Sequence, residues 1–203
     1  MSNIKYKKLT SKHFKQVIKL ANEVHGDGYL NDKSIADWAE RGISNNINCA
    51  YVALLDDDKS TEEKLIGFRI TFAAEHWQAN QWCSPNLWQI AEDKCCYFKC
   101  NTVDKNFRGL GVGKKLLQHS IKAAKQQGAQ AGIAHLWKQS PNNSAVAYFT
   151  HCGGELVKSH RDKWNEESKQ GYNCILCGHD CHCEAAEMII YFMSTQEKGI
   201  DPR

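Results

Sequence analysis

At 203 residues, with 42% hydrophobic and 24% charged side chains, the chain has the composition of a soluble globular protein and is long enough for one domain with a sizeable core. A formal net charge of +3 is too small to argue for a nucleic-acid or anionic membrane surface, and no apolar run approaches membrane-spanning length. The N-terminus is polar and Lys-rich, so a cytoplasmic site is the expectation, and there the ten cysteines read as metal ligands and core residues rather than disulfides.

Residues 4–9 read as a first strand. Thr10 or Ser11 can cap the helix that follows, whose apolar face is Phe14, Val17, Ile18, Ala21 and Val24 and which Gly26 and Gly28 stop. A shorter helical pattern with Ile35, Trp38 and Ala39 covers 32–43. Residues 47–55 and 65–73 make an antiparallel hairpin around a charged turn at 56–63. The aspartates at 56, 57 and 58 lack the spacing, central Gly and final Glu of a calcium loop and read as a solvated tip. Residues 75–93 have no clear period, yet hold Trp77, Trp82 and Trp88 together with Glu75, His76, Cys83 and Glu92. A long irregular stretch in a compact domain is functional or disordered, and tryptophans argue against disorder.

Residues 95–103 read as a strand. Behind them come Gly109, Gly111 and Gly113, then a helix with Val112, Leu116, Leu117, Ile121 and Ala124 on one face and Gly128 at its stop. A glycine-dense turn that feeds the first turn of a helix is an anion site, because free N–H groups and the helix dipole converge on it. It is not a P-loop, since Arg108 stands at the first Gly position and Lys115 at the Ser/Thr position, and its G-x-G-x-G spacing is not the dinucleotide fingerprint. Residues 131–137 make a further strand. Ser140, Pro141 and Asn142 open a helix that runs through Phe149 to Cys152, Gly153 and Gly154. Strands at 155–159 and 187–193 close the pattern, and the polar tail 194–203 is expected to be loose.

Between the last two strands, Cys174, Cys177, Cys181 and Cys183 follow C-x2-C-x3-C-x-C, with His179 and His182 inside. Four soft ligands suit one tetrahedral Zn²⁺; Cys-x-Cys is the less usual half, so either His can stand in for a Cys. A closed four-ligand site is structural, which makes the metal a staple for residues 161–184. No basic, aromatic-interleaved patch surrounds it, so nucleic acid is not an expected partner. Cys49, Cys95, Cys96, Cys100 and Cys152 lie in apolar contexts and are expected in the core.

The segment V-x-x-x-F-R-G-x-G-V-G, from Val103 to Gly113, contains [RQ]-x-x-G-x-[GA] at Arg108, Gly111 and Gly113 and resembles the acetyl-CoA motif of the GCN5-related N-acetyltransferase (GNAT) superfamily. A second segment resembles that family's N-x-x-A-x-x-[LFY]-Y helix: Asn142, Ala145, Tyr148 and Phe149, closed by Gly153. The resemblance covers about residues 3–160 and 186–194. It implies an α/β (α+β) fold with a mixed, splayed central sheet flanked by helices: one N-acetyltransferase domain over 1–194, with 161–184 as a Cys-rich insertion and 195–203 as a loose tail. It also implies transfer of an acetyl group from acetyl-CoA to a primary amine of a small molecule or a protein by direct attack, with a homodimer allowed; the small net charge and the lack of a long apolar run are what argue against a nucleic-acid or membrane partner. The cofactor-binding residues it implies are Val103, whose backbone N–H neighbourhood hooks the carbonyl, Arg108, Gly109, Leu110, Gly111, Val112, Gly113, Lys114 and Asn142. The chain departs from the family where chemistry matters. The family's proton-donating Tyr falls at Phe149, which leaves the adjacent Tyr148 as candidate acid, and the strand Lys99-Cys100-Asn101-Thr102 has no carboxylate. The segment 75–93 is expected to wall the acceptor side with its tryptophans and to supply Glu75 or His76 as base. The alternative is an acyl-CoA-binding module that has lost its chemistry.

Overall fold

Seven strands form one sheet in the order β1-β4-β5-β6-β7-β9-β8, in a computed structural model that describes residues 4–56 and 63–192. The charged tip at Asp57 and Asp58, Met193 of the expected last strand, and the tail 194–203 lie outside the described residues. The strands are β1 (Ile4–Lys8), β4 (Tyr51–Leu55), β5 (Lys64–Phe72), β6 (Cys95–Val103), β7 (Ala131–Trp137), β8 (Glu155–Arg161) and β9 (Glu184–Tyr191); β2 (Ile43–Ser44) and β3 (Ile47–Asn48) make a separate ribbon. All pairings in the large sheet are antiparallel except β6 with β7. Helices α1 (Phe14–His25) and α2 (Asp32–Glu40) bury Val17, Leu20, Ala21 and Ile35 against Val52, Phe68 and Ile70 in one core. Helix α3 (Val112–Gln126) buries Val112 and Leu116 against Ala53 and Ile66, and with α4 (Ser144–His151) it packs Leu117, Ala124 and Phe149 against Ala134 and Met188 in other clusters. This mixed, splayed sheet between helices is the α/β arrangement expected from the sequence.

Local side-chain chemistry moved several boundaries. The expected strand at 47–55 is cut in two because Asn48 turns its amide onto the Leu9 carbonyl (2.9 Å) and accepts the Ala50 N–H (2.8 Å), which breaks the ladder between β3 and β4. The expected helix 32–43 stops at Glu40, and Ile43 pairs with Asn48 instead. Asn31 caps α2 by accepting the Ser34 N–H at 2.9 Å. Cys49, Cys95, Cys96 and Cys100 are buried, but Cys152 is only half-buried.

Two features of the sheet position the site. In the register, Ile70 faces Cys100 and Thr71 faces Phe98, so Lys99 is an extra residue, a bulge in β6. Strand β6 pairs with β7 only from Cys95–Phe98 against Ala131–Ala134; beyond Phe98 and Ala134 the two strands part. The insertion between β8 and β9 carries α5 (Asn165–Lys169) and the cysteine cluster, and it docks on the end of α1. Tyr172 donates to the His25 carbonyl at 3.0 Å and the Asn173 N–H to the Asp27 carbonyl at 3.0 Å. Gly26, at φ +115°, is required at this contact: a Cβ there would stand 2.0 Å from the Asn173 carbonyl oxygen. Among the described residues no helix is long and apolar enough to cross a membrane.

Candidate active site

The end of β6 turns sharply into α3. The Asp104 carboxylate accepts the Asn106 N–H at 2.9 Å, and Arg108 Nε folds back to donate to the Val103 carbonyl at 3.1 Å. Gly109 and Gly111 both take φ +78°, and Gly111 is the residue before the first turn of α3. A Cβ at either would meet nothing within 4 Å, so these glycines are demanded by backbone conformation and leave their outer side open to a ligand. Gly113 differs: with ordinary backbone angles, its missing Cβ would lie 3.2 Å from Asn101 Nδ2.

A cleft of about 1810 Å³ runs from this loop through the gap between β6 and β7 to α1, α2 and the insertion. Val103, Arg108, Gly109, Gly111, Val112, Gly113, Lys114 and Tyr148 line it together. Leu110 and Asn142 do not; Leu110 is exposed, and Asn142, at φ 56° in a turn before α4, is exposed as well.

Beneath the gap lies a buried cation that the sequence did not single out. Arg69 of β5 is 1% exposed, its guanidinium stands 5.0 Å over the Phe98 ring, and its Nη2 donates to the Tyr148 hydroxyl. Burial raises the Tyr148 hydroxyl above its ordinary pKa, and the Arg69 charge opposes that rise. Arg69 Nε and Asn101 Oδ1 are buried without a partner among the described residues, and both residues line the cleft. Phe149 is fully buried against Phe98 and Gly154, out of reach of the cleft.

Where β6 and β7 part, His135 and Tyr97 meet. A carbonyl only accepts, so His135 Nε2 donates to the Trp82 carbonyl, and Nδ1 is left to accept from Tyr97 Oη at 3.0 Å. Burial presses the His135 pKa down to about 3, so the ring is neutral. Behind it Glu187, fully buried, accepts from the Ser84 N–H (2.8 Å), the Trp88 indole (2.7 Å) and His160 (2.9 Å). Burial alone would raise this carboxyl, but those donors hold it below its ordinary pKa. The ligand atoms of His135, His160 and Glu187 lie within 4.8 Å of one another, yet each is already engaged in a hydrogen bond, so the trio braces the strands. A charged residue inside the apolar run of β9 was the one sequence signal for this network.

The segment 75–93 is placed otherwise than expected. The Trp77 indole donates to the Cys95 carbonyl at 2.7 Å, which ties the segment to the paired end of β6 and β7 and not to the open end. Trp77 and Trp88 are buried in the core, and none of Trp77, Trp82 and Trp88 lines the cleft. Glu75 and His76 lie outside the cleft too; they face each other at 3.5 Å, and His76 exchanges hydrogen bonds with Arg41. The aromatic lining of the cleft beside α1, α2 and the insertion comes from Tyr29, Trp38, Trp164 and Tyr172, while Trp77, with Gln78, Asn80 and Cys83 of the 75–93 segment, lines a small side cavity that adjoins it.

The insertion brings Cys174, Cys177, Cys181 and Cys183 together, their sulfurs all within 4.8 Å. Cys183 Sγ lies 3.6 Å from Cys177 Sγ and 3.9 Å from Cys174 Sγ. A tetrahedron with Zn–S bonds of 2.3 Å sets sulfurs about 3.8 Å apart, so the quartet fits zinc. Cys174 and Gly178 exchange backbone hydrogen bonds at 2.9 and 2.8 Å around the knuckle, and Ser168 Oγ holds the Cys181 N–H at 2.9 Å. Neither His179 nor His182 joins the quartet; His182 is engaged with Asp162 (2.8 Å) and Asp180 (3.3 Å). Cys174, Cys181 and Cys183 themselves line the cleft.

A search of curated proteins returns no match. Among solved structures, the NatC complex bound to Gag peptide and CoA superposes with a TM-score of 0.66 at 15% identity, covering 94% of this chain and 99% of that one. The ribosomal-protein-S18-alanine N-acetyltransferase from Escherichia coli gives 0.61 at 15% identity over 98% and 100%, and Arabidopsis thaliana Naa50 with the bisubstrate analogue CoA-Ac-MVNAL gives 0.60 at 17% over 93% and 99%. At such identities the likeness is one of fold. The family model described as Acetyltransferase (GNAT) family matches residues 14–153, a span that holds the glycine loop, the splayed strands and α4. With that match over more than half its length, the chain belongs to the GNAT acetyltransferase family.

Proposed function

We propose that the protein transfers the acetyl group of acetyl-CoA to a primary amine by direct attack within the cleft. The observation that carries this is the open glycine loop at the N-terminus of α3, leading into a gap where two adjacent strands leave their facing edges unpaired. The N–H groups of Gly109–Gly113 and the dipole of α3 suit the pyrophosphate, with Arg108 and Lys114 beside them. The free edge of β6 offers strand-like hydrogen bonds to the extended pantetheine arm, and the orphaned Asn101 Oδ1 accepts a donor there. The NatC complex with CoA and Naa50 with a CoA conjugate, both similar in fold, support the same co-substrate.

The neutral amine attacks the thioester carbonyl carbon, a backbone N–H of β6 near Val103 binds the developing oxyanion, and the C–S bond breaks. The excess proton of the amine leaves to water in the open cleft. Tyr148 gives its proton to the departing thiolate. Its raised pKa keeps it protonated at neutral pH, and the Arg69 guanidinium stabilises the phenolate that results. With acetyl-CoA, an amine panel and thiol detection, Tyr148→Phe should lower kcat about a hundredfold, the low end for general acid catalysis, with the acetyl-CoA Kd unchanged. A wild-type protein that binds acetyl-CoA but releases no thiol with any amine would instead be a binding module.

The four cysteines are proposed to hold one zinc ion as thiolates, closing its coordination and stapling the insertion against α1. Metal analysis of protein made without chelators should find one zinc per chain; none would remove the staple.

A further inference from the structure

The amine acceptor is open in the reading above, and the far end of the cleft carries a charge imbalance that bears on it. Lys99 and Lys163 line both the main cleft and a small side cavity of about 180 Å³. The two cavities also share Trp38, Tyr97, His135 and Glu167. Lys99 is the bulged residue of β6, the first beyond the stretch paired with β7. Lys163 follows β8 and is only 8% exposed.

Both ammonium groups are held by aromatic faces: Lys99 Nζ lies 4.5 Å over the Trp38 ring and Lys163 Nζ 5.8 Å over Trp164. Neither makes a salt bridge or a hydrogen bond among the described residues. Burial and, for Lys99, the neighbouring Lys163 charge press both pKa values down, Lys99 to about 8. Glu167 is the carboxylate in the shared wall; it is exposed and forms no salt bridge with either lysine. Arg41, in the small cavity, has its own partners in Asp37 (3.8 Å) and the Phe72 ring (4.0 Å). One buried and one half-buried cation against one exposed carboxylate disfavour a purely cationic amine at this end and favour an anion.

We propose that the acceptor is a small primary amine that also carries an anionic group, which binds at Lys99 and Lys163 beside the small cavity while the amine faces the splay. The size of that cavity suits a carboxylate; a phosphate shares the chemistry.

The proposal rests on the acetyl-transfer reading, and the test separates the two. Thiol release from acetyl-CoA is measured with matched pairs: amino acids against their amides, 2-aminoethyl phosphate against ethanolamine, and a polyamine. The anionic member should have kcat/KM higher by about tenfold or more, the scale of one charged hydrogen bond. Lys163→Met and Lys99→Met should raise KM for the anionic member and erase the preference, whereas Lys163→Arg should retain most of it. The carboxylate and phosphate arms say which anion is meant. Equal use of the neutral partners, or preference for the polyamine, overturns the proposal. Where no pair is turned over, calorimetry on CoA-loaded protein with N-acetyl amino acids decides: binding lost on amidation supports it, and equal or no binding overturns it. Failure to bind CoA at all would sink the acetyl-transfer reading itself, and this proposal with it.

Discussion

The two ends of the cleft are built by different means. At the co-substrate end, contact is offered by backbone: the glycine loop 109–113 presents N–H groups, three of its five residues lack a side chain, Val112 is buried in the core, and Leu110 is exposed outside the cleft. At the proposed acceptor end, contact is offered by side chains from distant segments: Trp38 from α2, Lys99 from β6, His135 from β7, and Lys163, Trp164 and Tyr172 from the insertion. A backbone site depends on a few glycines in one stretch and tolerates change elsewhere. A side-chain site depends on whatever holds the segments together, and here that is the cysteine quartet docked on α1.

Breaking the co-substrate end should give the largest effect. Gly111→Val places a β-branched residue at φ +78° and sets its methyls in the space where a phosphate would lie. The acetyl-CoA Kd should rise about 100-fold, a change of about 2.7 kcal/mol, in calorimetry. A Cβ there meets no protein atom within 4 Å, so the stability cost is that of the positive φ alone, about 1–3 kcal/mol, and the Kd is read on the folded variant. Unchanged affinity would remove this loop from the site.

Breaking the acceptor end should act through folding. Cys177→Ser, or a chelator acting on the proposed zinc, should lower Tm by about 10 °C, because a closed thiolate site contributes its binding energy to the folded state. The acetyl-CoA Kd of the folded variant should move little, while KM for the amine should rise, because Tyr172, Ile175 and Leu176 line that end. If both constants moved together, the two ends would not be separable as described.

A smaller effect is expected from pH. His25 is held down to about 4, by burial first and Arg108 second, and His135 to about 3, by burial first. Both folded pKa values lie below the unfolded value of about 6.5, so the unfolded chain binds these protons more readily. Their stabilisation is therefore complete above about pH 6.5 and is lost progressively as pH falls toward 4 and 3. With zinc in excess, Tm should drop by about 5 °C from pH 7 to pH 5, and His135→Phe should flatten that slope. A slope unchanged by the substitution would place the titrating groups elsewhere.

Legibility in the sequence followed the same division. The glycine loop, its strand and its helix could be read because one contiguous stretch carries both the backbone requirement and the helical period. The cysteine quartet could be read from spacing alone. Arg69, Lys99, His135, Lys163 and Glu187 could not, because each is an ordinary polar residue in a strand or loop whose meaning depends on a bulge, a strand divergence and a register between segments far apart in the chain. The tryptophans of 75–93 were hard to place for the same reason: their composition announced burial but not against what, and the Trp77 bond to the Cys95 carbonyl sets it at the paired end of the strands, where it also walls the small side cavity.

That placement carries the smallest expected effect, which is none on chemistry. Glu75 and His76 stand beside Arg41, outside the cleft and on the side where β6 and β7 are still paired. Their side chains are 61% and 37% exposed and face solvent rather than the space where the amine would attack. Glu75→Gln should leave kcat/KM for the amine and the acetyl-CoA Kd unchanged. His76→Ala removes the side-chain contact to the Arg41 carbonyl but leaves the His76 carbonyl to accept from Arg41 Nε at 2.8 Å, so the turn should persist with a stability change of about 0.5 kcal/mol or less. A loss of turnover in either variant, at unchanged Tm, would mean that Glu75 or His76 moves into the cleft once both substrates are bound.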